Sequence, residues 1–489
     1  MSKRRPAKKF ILWLIVMLTM IVTPVQGIQA QGGLDWLFGN EGRASQELSD
    51  KDLQMLNDLY RNLKGLYIED IPKEQLLEGA MKGMVSALGD PYSEFLNAEE
   101  SQVYEETAEG SFSGVGIQFM ANNGVMTVIS AVDGTPASKA GIRPNDVILK
   151  ADDQELTDMD TQEVINLIRG PVGSEVTLTI QRADQTFDVT LTREEIPITT
   201  VDGEIDRQDK EIGKIKISQF NGTTYDELVE TVEQLRQKGA KRFVFDLRYN
   251  PGGLLDQALE ISNMFLKDGD VIMQMQEGQA KAISYQASDK DYGDFQISEP
   301  YVLLVNEGSA SASEILTGAI KENTKAPIVG VTTFGKGSVQ TFTNSNSLGE
   351  LKITFAKWLL PSGTWIHETG IEPTDQVEAA SVETAILINP ESTLKLGEVS
   401  PEVESLGLSL EALGYLKEPK KYFDEQMEAA VKAFQKDHDL KETGQVEGET
   451  TQILTEQIRD YLETHDKQYE KAVEILNEYA GQEKEQEAA

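Results

Sequence analysis

Two short segments of this 489-residue chain hold residues whose types and spacing suit hydrolytic chemistry. The first runs Asn306-Glu307-Gly308-Ser309-Ala310-Ser311-Ala312-Ser313-Glu314, directly after an apolar stretch, Tyr301 to Val305, that reads as a strand. A helical pattern, Glu314 to Ile320, follows it. Serine hydroxyls therefore stand at a strand-to-helix turn, where backbone N–H groups converge and stabilise developing negative charge. The second segment is Phe334-Gly335-Lys336-Gly337-Ser338-Val339-Gln340, a lysine between two glycines with a glutamine four residues on. A serine nucleophile needs a base, and a lysine serves when its surroundings hold it neutral. The two segments together read as a Ser–Lys hydrolase. Ser309 and Ser313 compete with Ser311 for the nucleophile, and His367 is the rival base, which would make the protein a Ser–His hydrolase.

Composition narrows the field. No cysteine is present, which excludes a thiol nucleophile, a disulfide framework and cysteine-ligated zinc. With three histidines, His367, His438 and His465, a His-rich metal centre is disfavoured. The N-terminus pairs a basic cluster (Lys3, Arg4, Arg5, Lys8, Lys9) with an apolar run from Phe10 to Val22, the layout of a secretory signal or a retained membrane anchor at residues 1–30. Beyond it remain 40 basic and 82 acidic residues, a net charge of −42. Such a body is repelled by nucleic acid, and its acidity serves solubility.

The elements that must position the two segments follow from hydrophobic periodicity. Residues 31–45 read as a linker. Leucines and methionines at helical spacing from Ser49 to Gly89, broken at Ile71-Pro72, predict two helices within a region 46–100. Residues 105–192 change to short strands (Gly114 to Phe119, Val125 to Val132, Val147 to Ala151, Val176 to Gln181, Thr186 to Leu191) around short helices at Pro136 to Ala140 and Thr161 to Ile168. From Ile212, strands and helices alternate, which predicts a largely parallel sheet covered by helices over 193–388, with functional loops at the carboxyl ends of its strands. Asn250-Pro251-Gly252-Gly253 and the serine cluster both occupy such ends. Residues 400–462 form a compact helical pattern, and 463–489 an acidic tail with one further helix, Tyr469 to Tyr479. The whole is a multidomain α/β protein.

Ser309-Ala310-Ser311-Ala312-Ser313-Glu314, then Lys336 and Gln340, resemble the catalytic signature of the C-terminal processing (tail-specific) serine peptidases. Asp246-Leu247-Arg248-Tyr249-Asn250-Pro251-Gly252-Gly253 resembles that family's loop ahead of the serine, with Tyr249 where asparagine or aspartate is more usual. Gly89-Asp90-Pro91-Tyr92-Ser93 resembles its junction between N-terminal helices and a PDZ domain. The likeness spans about residues 46–380. It implies Ser311 as nucleophile, Lys336 as base and Gln340 as the residue that orients and hydrogen-bonds the lysine. Backbone N–H groups of Ala312 and of Gly252 or Gly253 would form the oxyanion hole. No metal or other cofactor enters this scheme.

Gly114-Val115-Gly116-Ile117 resembles the carboxylate-binding loop of a PDZ domain, which implies capture of protein or peptide C-termini by strand addition. Val115, Ile117, Phe119, Val164 and Ile168 would favour an apolar terminal side chain. Arg169, at the end of the Thr161 to Ile168 helix, is the candidate for reporting peptide occupancy to the protease body. Leu410 to Tyr415, Ala430 to Gln435 and Thr443 to Val446 resemble a small peptidoglycan-binding domain, which implies a cell-wall partner. The expectation is an extracytoplasmic endopeptidase, secreted or anchored, that dimerises through its apolar helices. The competing reading is a non-catalytic cell-surface PDZ scaffold that keeps a protease fold.

Overall fold

A computed structural model of the chain describes residues 48–487 apart from 123, 158, 184, 347 and 348. The signal or anchor segment and the 31–45 linker lie outside the described residues. Two helices open the structure, α1 (Asp50–Leu66) and α2 (Lys73–Ser86), separated at the anticipated Ile71-Pro72. Ser49 caps α1: its hydroxyl accepts from the Asp52 N–H while the Asp52 carboxylate accepts from the Ser49 N–H. A turn over 87–93 leads to β1 (Glu94–Asn97) and then to α3 (Ala98–Glu109), an acidic helix with no apolar stripe to announce it in the sequence.

The next module contains β2 (Ser111–Gly114), β3 (Ile117–Asn122), β4 (Val125–Ala131), α4 (Pro136–Lys139), β5 (Val147–Ala151), β6 (Gln154–Glu155), α5 (Thr161–Ile168), β7 (Glu175–Arg182) and β8 (Gln185–Thr192). Its sheet runs β3-β4-β5-β7-β8, with β6 on β5. The expected strand from Gly114 to Phe119 is broken at Val115-Gly116, where Gly116 takes φ +77° and a Cβ would lie 2.3 Å from the Thr135 hydroxyl. The module closes on its own core of Met126, Val128, Ile148, Leu156, Val164, Val176, Leu178 and Ile180. β9 (Glu194–Pro197) pairs back with β2.

The largest unit begins at β10 (Val201–Ile205) and β11 (Ile212–Ile217). It continues through α6 (Thr224–Gln237), β12 (Arg242–Asp246), α7 (Leu255–Asn263), β13 (Val271–Glu277), β14 (Ile283–Gln286), α8 (Asp289–Tyr292), β15 (Tyr301–Val305), α9 (Ala312–Asn323) and β16 (Ile328–Gly330). β17 (Ser338–Asn346), β18 (Gly349–Leu359) and β19 (Asp375–Gln376) complete it. The main sheet has the order β10-β11-β12-β15-β16-β19, parallel except for the β10 edge. A second, antiparallel sheet, β1-β18-β13-β14 with β17 on β18, was not anticipated. It ties the N-terminal region to the core through the register Glu94↔Lys352 to Asn97↔Gly349.

Side chains alternate along the buried strands, so both faces of the main sheet must be covered. Phe243, Phe245, Leu303 and Val305 pack with α6, α7 and α9. Val244, Val302 and Leu304 point to the opposite face, and their cover comes from far along the chain. After a separate helical unit of α10 (Pro401–Ala412), α11 (Glu425–Asp437) and α12 (Glu449–Thr464), whose core is built on Val403, Leu406, Phe423, Met427 and Phe434, the chain returns as α13 (Lys467–Glu487). Ala472, Ile475 and Leu476 of α13 then seal Ile212, Val244, Val302, Leu304 and Val329. The acidic tail is thus an integral layer of the core. Leu476→Ala is expected to cost about 2–5 kcal/mol and to lower the thermal midpoint of the core while the module at 111–192 unfolds where it did before.

Candidate active site

The serine loop is knitted to its neighbours by two of its three hydroxyls. Ser309 Oγ donates to the Leu247 carbonyl (2.8 Å) and accepts from the Asn306 N–H (2.9 Å). Ser313 Oγ donates to the Asn250 carbonyl (3.0 Å). Ser311 Oγ is buried and has no hydrogen-bond partner, which makes it the free hydroxyl of the cluster. The residue sits at φ +57°, ψ −113°, a conformation costing a non-glycine residue about 1–3 kcal/mol and typical of functional turns. It opens α9, where the Ser313 N–H donates to the Ala310 carbonyl (3.1 Å) and the Glu314 N–H to the Ser311 carbonyl (2.9 Å).

One carboxylate holds the serine and lysine loops together. Glu314, fully buried on α9, accepts from the Ser311 N–H (2.9 Å) and the Lys336 N–H (2.8 Å) on Oε2. Its Oε1 accepts from the Gly335 N–H (2.7 Å) and the Thr333 hydroxyl (2.6 Å). Burial pushes the Glu314 carboxyl up, and these four donors oppose the shift. Only the bond to Ser311 is a helix cap; the other three join α9 to the lysine loop. The rest of the lysine loop is pinned by two tryptophans: Trp358 Nε1 donates to the Lys336 carbonyl (2.8 Å) and Trp365 Nε1 to the Gly337 carbonyl (2.9 Å). Gly335, at φ +90°, lies so close to 368–370 that a Cβ would meet the Gly370 nitrogen at 2.8 Å.

The Lys336 side chain is 1% exposed and its Nζ has no hydrogen-bond partner. Burial, with help from the nearby Lys352 charge, lowers its pKa to about 7, against the pull of Glu314, Asp90 and Glu94. The amine stands over the Tyr92 ring, 4.9 Å from its centroid. The expected bond from Gln340 to Lys336 is not made. Both donors of the Gln340 amide are engaged, with Ser338 Oγ and Thr354 Oγ1, each at 3.0 Å, and its Oε1 is left buried without a partner. Ser311 Oγ, Lys336 Nζ and Gln340 Oε1 are thus each buried without a hydrogen-bond partner.

The oxyanion donor expected at Gly252 is already engaged. Its N–H donates to Asn250 Oδ1 (2.9 Å), and Asn250 is itself fixed by donating to the Ile217 carbonyl (2.8 Å), so that donor is spent on shaping the loop. Ala312 and Gly253 are the remaining candidates. Gly252 contributes by lacking a side chain: a Cβ there would lie 2.8 Å from Ser311 Cβ and 2.9 Å from the Ala312 nitrogen. Arg248 braces the same loop from behind, with bonds to Asp246 (2.9 and 2.7 Å) and to Asp466 (2.9 and 2.6 Å), just ahead of α13. His367 supports the lysine loop: Nδ1 accepts from the Gly337 N–H (3.3 Å) and its ring stacks on Trp365.

A groove of about 260 Å³ in the 111–192 module is lined by Gly114 to Phe119 and by Thr161, Ile165, Ile168 and Arg169. Val164 belongs to the core, and Ile165 takes the lining position expected of it. Arg169 does not reach the protease core. It pairs with Glu106 of α3 (2.9 Å) and covers the Phe112 ring. From α3, Tyr104 packs on Phe342 of β17, the strand that carries Gln340, and lies under Lys352 Nζ.

Comparison with known proteins bears on this geometry directly. The model for peptidase family S41 matches residues 211–377, which include Ser311, Lys336 and Gln340. The carboxy-terminal processing protease CtpA of Bacillus subtilis (strain 168) is 36% identical over 468 residues, 95% of this chain and 98% of that protein. The chain belongs to the carboxy-terminal processing proteases of peptidase family S41. A probable CtpA-like serine protease of Staphylococcus aureus (strain N315) is 35% identical over 97% of this chain and 94% of its own length. The other modules of this family member match a PDZ domain (127–182), the N-terminal domain of the activating protease CtpB (36–100) and a peptidoglycan binding domain (399–454). A solved photosystem II D1 C-terminal processing protease aligns at 27% identity over 66% of this chain and 86% of that one, with a TM-score of 0.38.

Proposed function

We propose that the protein is an extracytoplasmic serine endopeptidase in which Ser311 is the nucleophile, Lys336 the base and Gln340 the residue that orients the lysine. The carrying observation is the buried, partnerless pair of Ser311 Oγ and Lys336 Nζ, with their backbones joined on Glu314. Neutral Lys336 takes the Ser311 proton as Oγ attacks the scissile carbonyl. The oxyanion is received by the Ala312 and Gly253 N–H groups, and Lys336 passes the proton to the leaving amine. Water then resolves the acyl-enzyme by the same route. In the engaged state Gln340 Oε1, which is buried and unpartnered, accepts from the amine.

Substrates are taken by their C-terminal tails. The Gly114–Ile117 loop offers successive N–H groups to a terminal carboxylate, and Ile117, Phe119, Ile165 and Ile168 offer apolar contact to the last side chain. Arg169 lines the groove and grips α3, so a bound tail competes for a residue that leads to the β17 hairpin. The exposed leucines 53, 56, 59 and 63 of α1 supply a face for homodimerisation, and the α10–α12 unit supplies attachment to peptidoglycan. The basic-then-apolar N-terminus directs the chain across or into the membrane.

The test is cleavage of one unstructured protein carrying either an apolar or a doubly acidic C-terminus. The apolar tail is expected to be cut at least about tenfold faster, a difference of roughly 1.4 kcal/mol, and Arg169→Ala is expected to shrink that ratio without abolishing basal cleavage. Equal rates for both tails in the parent would sink tail recognition.

A further inference from the structure

The 89–93 turn belongs to the N-terminal region, outside the matched peptidase segment, yet it reaches the reacting groups. Tyr92 places its ring 4.9 Å from Lys336 Nζ. The same ring lines an open cleft of about 360 Å³ together with Ser338, Thr354, Trp365 and His367, and Lys336 is not among the walls of that cleft. The turn is built to hold the ring there. Asp90 accepts from the Tyr92 N–H (3.1 Å) on one oxygen and from Ser93 Oγ (2.5 Å) on the other. Ser93 Oγ in turn accepts from the Thr354 N–H (3.0 Å), and Thr354 Oγ1 accepts from the Gln340 amide (3.0 Å).

We propose that Tyr92 is a positioning residue that shields the Lys336 amine from the water of the cleft, and that the Asp90–Ser93–Thr354 chain sets this shield in register with Gln340. The inference rests on Lys336 being the base. Two effects of the ring oppose each other. A cation–π contact favours the ammonium by about 0.5–2 kcal/mol, whereas exclusion of water favours the neutral amine and is the largest influence on this lysine. Desolvation wins, and losing the ring wets the amine. The other charged groups acting on Lys336 are Glu314 from α9, Asp90 from the turn, Glu94 from β1 and Lys352 from β18, all of which are still present when Tyr92 is replaced; His367 stands at the edge of the Tyr92 ring.

The experiment is the pH profile of kcat/KM for the full chain carrying Tyr92→Phe, Tyr92→Leu or Tyr92→Ala. Phenylalanine and leucine still fill the slot and are expected to leave the acid limb in place. Alanine is expected to move the limb up by about one pH unit or more, lowering activity at pH 7 about fivefold or more, with KM and the alkaline plateau kept. A limb unmoved in Tyr92→Ala, or activity lost equally at every pH, overturns the proposal. Should the alanine variant not fold, Tyr92→Val, which keeps the contact at Cβ, is judged by the same criteria. Ser311→Ala and Lys336→Ala run alongside separate the two ideas. If these are inactive and the Tyr92→Ala limb stays put, only the shield is wrong; if Lys336→Ala still cleaves, the dyad itself is.

Discussion

Replacing Lys336 by alanine is expected to reduce kcat/KM by about 10³-fold or more at every pH, since general-base assistance alone contributes roughly 10²–10⁴. Ser311→Ala should be at least as severe. Lys336→Arg should fail as well, because a guanidinium keeps its proton at any accessible pH. In the parent the sign of the pH dependence follows from the lysine: it works as a base only when neutral, and its pKa is about 7. Activity should therefore rise as pH passes upward through neutrality. At pH 5.5 about one molecule in thirty holds the base deprotonated. Steady-state cleavage between pH 5.5 and 9 measures both expectations. Turnover that survives Lys336→Ala but not His367→Ala would transfer the base to the histidine.

Glu314→Gln is the second large effect. The carboxylate satisfies four donors, two on each oxygen, and an amide offers one acceptor oxygen and one donor nitrogen. Whichever way the glutamine turns, its NH₂ faces either the Ser311 and Lys336 N–H groups or the Gly335 N–H and Thr333 hydroxyl. Each buried donor left unpaired costs about 1–3 kcal/mol. The serine and lysine loops would drift apart, and displacement of about 1 Å is enough to cost roughly 10² in rate. A fall in kcat of about 10²–10³ is expected together with a lower thermal midpoint. Full activity with an unchanged midpoint would show that the two loops are held by something else.

The elements that form the core were legible because they obey simple periods. Ile212 to Ile217, Tyr301 to Val305 and Ile328 to Gly330 are found where the apolar runs place them, and Thr161 to Ile168 is a helix end to end. The hairpin of β17 and β18 was not legible, and the reason is chemical. Strands that wall an active site bury polar side chains, and Gln340 and Lys352, 0% and 2% exposed, break the alternation that announces a strand. The cover of the main sheet was hidden differently: Ala472, Ile475 and Leu476 make a stripe one or two turns long inside a strongly charged helix. Within the site, residue type and spacing brought out the serine cluster, Lys336 and Gln340, and the family resemblance singled out Ser311. No spacing in the sequence links Tyr92 to Lys336 or Asp466 to Arg248, because those contacts exist only once distant segments have folded together.

The return of α13 to the main sheet makes the α10–α12 unit an insertion, bracketed on both sides by the protease core. Order of synthesis then becomes a safeguard. A ribosome must make the whole inserted unit before the residues that close the sheet, and before Asp466 can brace Arg248 behind the oxyanion loop. A growing chain carries Ser311 and Lys336 long before it carries the helix that closes the sheet behind them. A truncated product of interrupted translation, with Ser311, Lys336 and Gln340 all present, is left with one open sheet face and with no Asp466 behind Arg248.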